Sequence, residues 1–436
     1  MPVYTLQIAL LLLTAYLLGA LVAGRLRRWL HAGEVSARLP RDRDLSFAAV
    51  VTEGFLARLG FSIVTFALPF YALSLGMSLS EIGLLAAMRS IIALAVKPLV
   101  GLATDRLGVK AVYVGSIAVR GVVGLLFMLA TEPWELFAIR ALHGVSTAAR
   151  DPTSALLIAV GTDSSRLARA FSWYATAKVA GASLGFSSAG LLLTLTADNF
   201  RLVFLIAAVT SLLAWLLVLR LVRFPPMASL AADAAFDEET KLPSRRPQWL
   251  EYAGLAMLIS IPASMLNGLF PVIASQWSGL SKAEVGTVYA LSTVIVIVAG
   301  PLLGWAADRF SVGIVLSIRS LANMLSSILY VAVPGLWGLA AARFADDFGK
   351  AGYKPAWGAM MSEVARANAP GQRGRVISYL DTAESAGEAI GPVLAGLLWD
   401  HSGIVWMFAA RIGLSLLAEL YAVLLLFGRA RRAPQT

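Results

Sequence analysis

Long apolar runs, each closed by a charged or turn-forming cluster, recur along the whole chain. A run of roughly 20 mostly apolar residues is long enough to cross a hydrocarbon core about 30 Å thick. The pattern predicts thirteen such helices, over 4–24, 47–75, 81–104, 111–131, 134–161, 168–195, 201–222, 249–276, 283–307, 312–333, 336–363, 374–399 and 402–427. A basic linker (25–46) separates the first span from an N-terminal six-helix half (47–222). A second linker (223–248) precedes a C-terminal six-helix half (249–428), and residues 429–436 form a tail. Pro225, Pro226, Pro243 and Pro247, with Asp237, Glu238 and Glu239 between them, mark the 223–248 segment as a solvated tether.

Composition narrows the class. With 58% hydrophobic and 14% charged residues and a mean hydropathy of +0.75, the chain has too few polar side chains to cover a water-soluble globule of this size, so its solvent is the lipid bilayer. The net charge of +10 does not point to nucleic acid, because the basic residues punctuate apolar spans instead of gathering on one soluble face. There is no cysteine, and His31, His143 and His401 are too scattered for a metal cluster, so no metal or other cofactor is expected.

Charge also sets orientation. If 25–46 is cytoplasmic and the spans alternate, the cytoplasmic segments hold Arg25, Arg27, Arg28, Arg106, Lys110, Arg166, Arg169, Arg245, Arg246, Arg309, Arg373, Arg375, Arg429 and other basic residues, against Arg201 and Lys282 outside. The N-terminus is therefore expected outside and the C-terminus in the cytoplasm, in a membrane of the bacterial inner-membrane kind. The first span has no basic residue before it, which disfavours a cleaved leader. It is either a topogenic anchor or a docking element for a protein partner.

The two halves repeat. At an offset of 203, Glu81, Gly83, Pro98, Gly101, Asp105, Arg106 and Arg140 fall on Glu284, Gly286, Pro301, Gly304, Asp308, Arg309 and Arg343. At 206, Gly181, Gly185, Gly190 and Lys178 fall on Gly387, Gly391, Gly396 and Glu384. Pro, Gly and Asp-Arg holding nearly fixed spacing over such a length mark an internal structural repeat, as in transporter folds that bind solute near the bilayer midplane.

Two six-helix halves, a central linker and the G-x-x-x-D-R-x-G loop formed by Gly101, Asp105, Arg106 and Gly108, with Lys110 after it, resemble the major facilitator superfamily over 47–428. The resemblance implies an all-α integral membrane protein of two pseudo-symmetric six-helix bundles, here with one additional N-terminal helix. It also implies that the loop is a conformational latch. Elementary physics fits: Gly101 permits close helix approach, and an aspartate is attracted to a helix N-terminus such as that near Arg373. The second copy keeps Gly304, Asp308 and Arg309 but has Ser311 for glycine, so a weaker latch is expected there. Leu136, Arg140, His143, Gly144 and Ala148 are similar to the fourth-helix motif of proton-coupled members, which implies a coupling role for Arg140; snorkelling of that side chain toward the outer boundary is the other reading. A glycine-proline motif of antiporters is partial, with Phe186 in place of proline.

Charges inside the spans supply the candidate chemistry. Each costs at least about 2.5–3.5 kcal/mol at mid-helix on insertion scales, so partners or a wet cavity are expected. Asp381, Glu384 and Glu388 fall on one helical face, and Asp346, Asp347 and Lys350 cluster one helix earlier. Crowded carboxylates in a low dielectric can titrate near neutral pH, as proton coupling requires. Arg89, Arg120, His143, Lys178 and Lys350 are the candidate solute contacts. The expectation is a basic N-terminal wall facing an acidic C-terminal wall, or, on the blander view, ion pairs that touch no solute. The expected function is secondary active, proton-coupled transport of a small polar or charged solute by alternating access. A multidrug-type exporter of lipophilic solutes and a non-transporting receptor or assembly factor are the rivals. No phosphate-binding loop or catalytic constellation points to an enzyme.

Overall fold

A computed structural model describes residues 41–162, 167–222, 249–309, 312–366 and 373–430. The expected first span (4–24) and most of both linkers lie outside the described residues. The helices are α1 (Arg41–Ser74), α2 (Leu79–Leu107), α3 (Val109–Leu129), α4 (Pro133–Gly161), α5 (Leu167–Leu195), α6 (Phe200–Leu221), α7 (Trp249–Ser264), α8 (Lys282–Arg309), α9 (Val312–Ala332), α10 (Leu336–Arg366), α11 (Arg373–Ser402) and α12 (Ile404–Ala430). α1 starts six residues earlier than the apolar pattern suggests, because its first turn is the polar stretch Arg-Asp-Arg-Asp.

The span expected over 249–276 is broken. α7 stops at Ser264, just after Pro262; the chain turns through Gly268 at φ 79° and resumes as a single helical turn, Phe270–Val272, that widens into a π-helical turn, Ile273–Trp277. Pro262 and Pro271 lack the N–H donors that a continuous helix would use, and only glycine takes the positive φ cheaply. Trp277 then anchors the segment by donating from Nε1 to the Tyr330 carbonyl at 3.0 Å.

Where glycine ends the latch loop, Gly108 takes φ 84° and joins α2 to α3 through a single residue. The repeated acids Glu81 and Glu284 prove to be helix caps. The Glu81 carboxylate accepts from Ser78 N at 2.7 Å while Glu81 N donates to the Ser78 hydroxyl; Glu284 and Ser281 repeat the arrangement at 2.8 Å.

The chain forms two compact units. The first comprises the described parts of 1–77, 95–230 and 280–293; the second comprises those of 78–94, 231–279 and 294–436. Each unit thus includes the first half of one helix, α8 or α2, whose second half belongs to the other unit. Repeated glycines are the reason. In the first unit a Cβ on Gly190 would lie 2.2 Å from the Lys282 carbonyl oxygen and 3.1 Å from Gly286 Cα; in the second, one on Gly83 would lie 2.4 Å from the Pro392 carbonyl oxygen and 3.1 Å from Gly396 Cα. Backbones this close need glycine on both sides.

The next glycines along α5 and α11 face the other way. Gly181 and Gly185 press on the carbonyls of Phe55 and Leu59 in α1, as Gly387 and Gly391 press on those of Met257 and Ile261 in α7. Phe186, the departure from the antiporter pattern, stacks on Tyr289 at 4.4 Å between centroids. Apolar clusters fill each unit, around Tyr113, Ile117 and Val218 in the first and around Leu255, Tyr353 and Trp357 in the second.

By length and composition, six of the described helices are apolar enough to cross a membrane: Ser46–Ser74 within α1, α2, α3, Trp173–Leu195 within α5, α6, and Ile404–Leu425 within α12. α4, α10 and α11 fall outside this set because charged residues interrupt their apolar runs. Those charges build the site.

Candidate functional site

In the first unit, α1 brings Phe61 to the middle of the bundle and α3 and α4 surround it with cations. The guanidinium carbons of Arg120 and Arg140 lie 5.6 and 5.4 Å from the Phe61 ring centroid, and the His143 ring stacks on it at 4.1 Å and 29°. Arg120 is 7% exposed, Arg140 4% and His143 fully buried. Cation–π attraction is stronger in such a desolvated place than at a surface. Lys178, half-buried on α5, lies over the Tyr174 ring at 5.2 Å.

Closer to the α1 N-terminus sits an ion pair that sequence reasoning missed. Glu53, fully buried, accepts from Arg150 through both oxygens, from Nε at 2.7 Å and from a terminal nitrogen at 2.7 Å, and from the Tyr113 hydroxyl at 2.7 Å. Such a fork is the strongest geometry a carboxylate and an arginine can adopt. Arg150 also reaches the exposed Asp151 at 3.2 Å. The signal was available: Glu53 is the single acid in the apolar run 47–75, and a buried Arg150 demands an anion.

In the second unit, Asp346 on α10 is the hub. Its Oδ1 accepts from Arg411 of α12 at 2.7 Å and Arg319 of α9 at 3.2 Å, and its Oδ2 from Lys350 one turn on at 2.6 Å. Arg411 spends its other donors on the Pro262 carbonyl, Asn323, Ser326 and Ser327, all within 3.1 Å. Asp347 pairs with Arg343 at 2.8 Å and lies 3.7 Å from Lys350, and the Arg343 guanidinium sits 4.5 Å from the Phe270 ring centroid.

The expected acidic wall is thereby corrected. Around Asp346 and Asp347 the cations Arg319, Arg343, Lys350 and Arg411 outnumber the two carboxylates, and the other acids expected in that wall are the stripe on α11. There the stripe is graded: Asp381 is exposed, Glu388 half-buried and Glu384 buried at 5% exposure. Glu384 lies one turn before Gly387, where α11 meets Met257 and Ser260 of α7.

The remaining candidates are dispersed. Arg89 is half-buried in the second unit and donates to the Ser90 hydroxyl at 3.4 Å. Of the first latch copy, Gly101, Asp105, Arg106 and Lys110 are exposed, Gly108 is half-buried, and no atom lies within 4 Å of a Cβ placed on Gly101. In the second copy Arg309 is exposed, while the side-chain surroundings of Gly304 and Asp308 lie outside the described residues. Among the described residues no group of histidine, aspartate and glutamate is arranged to hold a metal ion.

Known proteins share this plan. The chain is 24% identical over 382 residues to the multidrug resistance protein MdtG of Salmonella arizonae, covering 84% of this chain and 92% of that one. It is 24% identical over 356 residues to the quinolone resistance protein NorA of Staphylococcus aureus, covering 79% and 88%. Among solved structures, a bacterial homolog of the human lysosomal transporter Spinster, in an inward-facing and occupied conformation, superposes with a TM-score of 0.71 at 15% identity, covering 89% of this chain and 97% of that one. The nucleoside transporter NupG does so with a TM-score of 0.66 at 16% identity, covering 87% and 98%. The family profile matches twice, over 53–261 and 252–436, once for each half of the repeat. With its buried charges, helical halves and paired profile matches, this multi-pass membrane protein belongs to the Major Facilitator Superfamily, a family of transporters.

Proposed function

We propose that the chain is a proton-coupled secondary transporter that moves a small polar or charged solute by alternating access, with Glu384 as the proton carrier. The observation that carries this reading is the burial of Glu384 at 5% exposure on a helix whose flanking acids are more exposed. A carboxyl group held out of water changes charge only together with a proton or a charged partner, which is what coupling needs. Asp346 and Asp347 serve instead as counter-ions, each engaged by two or more cations, and Arg140 supports the solute region beside Phe61. The positive-inside bias supports a bacterial inner membrane, with the N-terminus outside and the C-terminus in the cytoplasm. The apolar 4–24 segment is then an added span available to a protein partner.

The test uses the full chain in liposomes loaded with a pH-reporting dye, offered a quinolone, a nucleoside and benzoate in turn. Glu384→Gln is expected to abolish proton movement and uphill accumulation while solute-for-solute exchange continues. Uphill transport with an unchanged pH profile would move the carrier elsewhere. The names of MdtG and NorA favour a second reading, an exporter of lipophilic solutes. In that case the quinolone is the preferred solute, and Glu384→Gln changes selectivity without removing transport.

The Gly101–Lys110 loop is the proposed latch, on the strength of the exposed Asp105, free to meet a helix N-terminus; the close helix approach expected at Gly101 is not seen, since a Cβ there would have no atom within 4 Å. Asp105→Asn is expected to shift spin-label distances between the cytoplasmic ends of α2 and α11 toward the longer, inward-open population. Identical distance distributions in the variant and the parent would remove the latch role.

A further inference from the structure

We infer that Phe70, Phe200 and Asp198 form a binding site for an alkylammonium group at the outer end of the first unit, filled in this structure by the protein's own Lys282. This rests on the alternating-access reading and names a solute class for it, one that carries an organic ammonium group.

Lys282 is one of two basic residues that the charge bias leaves outside, and it stands in the first turn of α8. Its ammonium nitrogen lies 2.5 Å from an Asp198 carboxylate oxygen, 5.2 Å from the Phe70 ring centroid and 5.6 Å from that of Phe200. All three distances end on the same atom, so the carboxylate and both rings converge on one point. A carboxylate that balances the charge, beside aromatic faces that attract it and cover its carbon groups, is the chemistry that recognises an alkylammonium ion. Phe70 is buried and Phe200 half-buried, whereas Asp198 is exposed, which leaves the site a firm apolar wall and an opening to water.

The site is built without Lys282. Asp198 and Phe200 belong to the connection between α5 and α6 and its first helical residue, where Asp198 N donates to the Leu193 carbonyl and the Asp198 carbonyl accepts from Phe200 N, both at 2.8 Å. Ala197 and Asp198 take φ 48° and 63°, a left-handed pair without glycine that the turn must hold against its conformational cost. Phe70 is fixed in α1 against Phe66 at 5.6 Å, and Phe200 against Tyr71 at 5.1 Å, between centroids. Lys282 instead arrives on α8, whose residues from 294 onward belong to the other unit. Nor is the arrangement scaffolding that the repeat requires. The Lys282 carbonyl lies against Gly190 as the Leu79 carbonyl lies against Gly396, so the second unit has a leucine where the first has the ammonium; there Asp400 accepts from the Ser80 hydroxyl at 2.7 Å. When the outer ends of α5 and α8 part, Lys282 leaves with α8, and the carboxylate and rings stay behind to take the ammonium group of a solute. Return of Lys282 then expels it.

Equilibrium binding by the purified full chain, read as a rise in thermal unfolding midpoint at constant ionic strength, tests the site. The probes are tetramethylammonium and propylammonium, compared with sodium and the neutral tert-butanol. In Lys282→Ala, which empties the site, a saturable rise with both ammonium ions is expected, with apparent affinity about tenfold tighter than in the parent, where the tethered lysine competes. Adding Asp198→Asn should remove the response, and adding Phe70→Leu or Phe200→Leu should weaken it about threefold. If the buried Phe70→Leu does not fold, the half-buried Phe200→Leu decides the matter. A response of equal strength with Asp198→Asn or with the leucine variants, an equal response to sodium or tert-butanol, equal affinity in the parent, or no response in Lys282→Ala would each overturn the proposal. A responsive Lys282→Ala beside a parent that responds at no concentration would mean that Lys282 never withdraws; it would overturn the solute role and count against alternating access as well. No proton gradient is present, so failure of proton coupling at Glu384 leaves these results unaffected.

Discussion

Replacing Asp346 by Asn is expected to destabilise the second unit by about 3–5 kcal/mol, the usual consequence of leaving a buried cation without its counter-ion. Asp346 is completely buried and accepts from Arg319, Arg411 and Lys350, of which the first two are themselves completely buried. An asparagine of the same shape keeps one acceptor oxygen but turns donor hydrogens toward at least one of the three cations. Adding Arg319→Met to Asp346→Asn removes one uncompensated charge and should restore part of the loss, because the two residues share a network and their effects do not add. Unfolding of the purified protein followed by tryptophan fluorescence measures both variants. A loss below about 1 kcal/mol for Asp346→Asn would mean that water or lipid headgroups reach the cluster. The expected phenotype also separates this acid from Glu384: exchange and uphill transport should fail together in Asp346→Asn, and only the second in Glu384→Gln.

Glu53→Gln is expected to have a comparable effect on the first unit, again about 3–5 kcal/mol. Arg150 would keep its place between α1 and α4 with one oxygen instead of two, facing an amide that donates where a carboxylate accepted. The exposed Asp151 at 3.2 Å compensates weakly, since water screens it. Tyr113→Phe removes one bond to the same carboxylate and should cost less, about 1.5–3 kcal/mol for a hydrogen bond to a charged group. If the two substitutions cost the same, the arginine fork is not what holds this region, and the tyrosine hydroxyl is.

The positions of the second unit equivalent to Glu53 and Arg150 carry no such pair. Gly185 packs on Leu59 and Ser62, and Gly391 packs on Ile261 and Ser264, so α1 and α7 correspond at an offset of 202. Glu53 then falls on Leu255, and Arg150, at the offset of 203, falls on Tyr353; both lie in the apolar cluster around Trp357. The repeat therefore preserves backbone contacts while the buried charges have diverged. Glycines and capping glutamates are read by helix backbones that both halves need, whereas an ion pair can be exchanged for a leucine and a tyrosine without moving a helix.

That difference explains what the sequence made legible. Span positions, the repeated glycines, the Asp-Arg loop and the acidic face of α11 follow from periodicity and spacing, which are local. Which cations converge on Asp346 does not, because Arg319, Asp346 and Arg411 come from three helices and each alone looks like an isolated membrane charge. The expectation of an acidic C-terminal wall failed for the same reason: it counted the acids of α10 and α11 and left out the arginines that α9 and α12 bring to them. The break in α7 was hidden because the residues between Pro262 and Pro271 are themselves mostly apolar, so hydrophobicity ran on through the turn.

The shared helices α2 and α8 also bear on how the protein is made. A membrane protein enters the bilayer from its N-terminus as it is synthesised, and domains tend to fold in that order. The first unit includes residues 280–293, the stretch that presents Gly286 to Gly190. Its sequence is therefore incomplete when the linker at 223–248 leaves the ribosome. Until α8 arrives, Gly190 and Phe186 lack their partners Gly286 and Tyr289. Biogenesis must keep that flank of α5 open while the first helices of the other half are inserted, so the first unit is completed only after residues beyond the linker have been made.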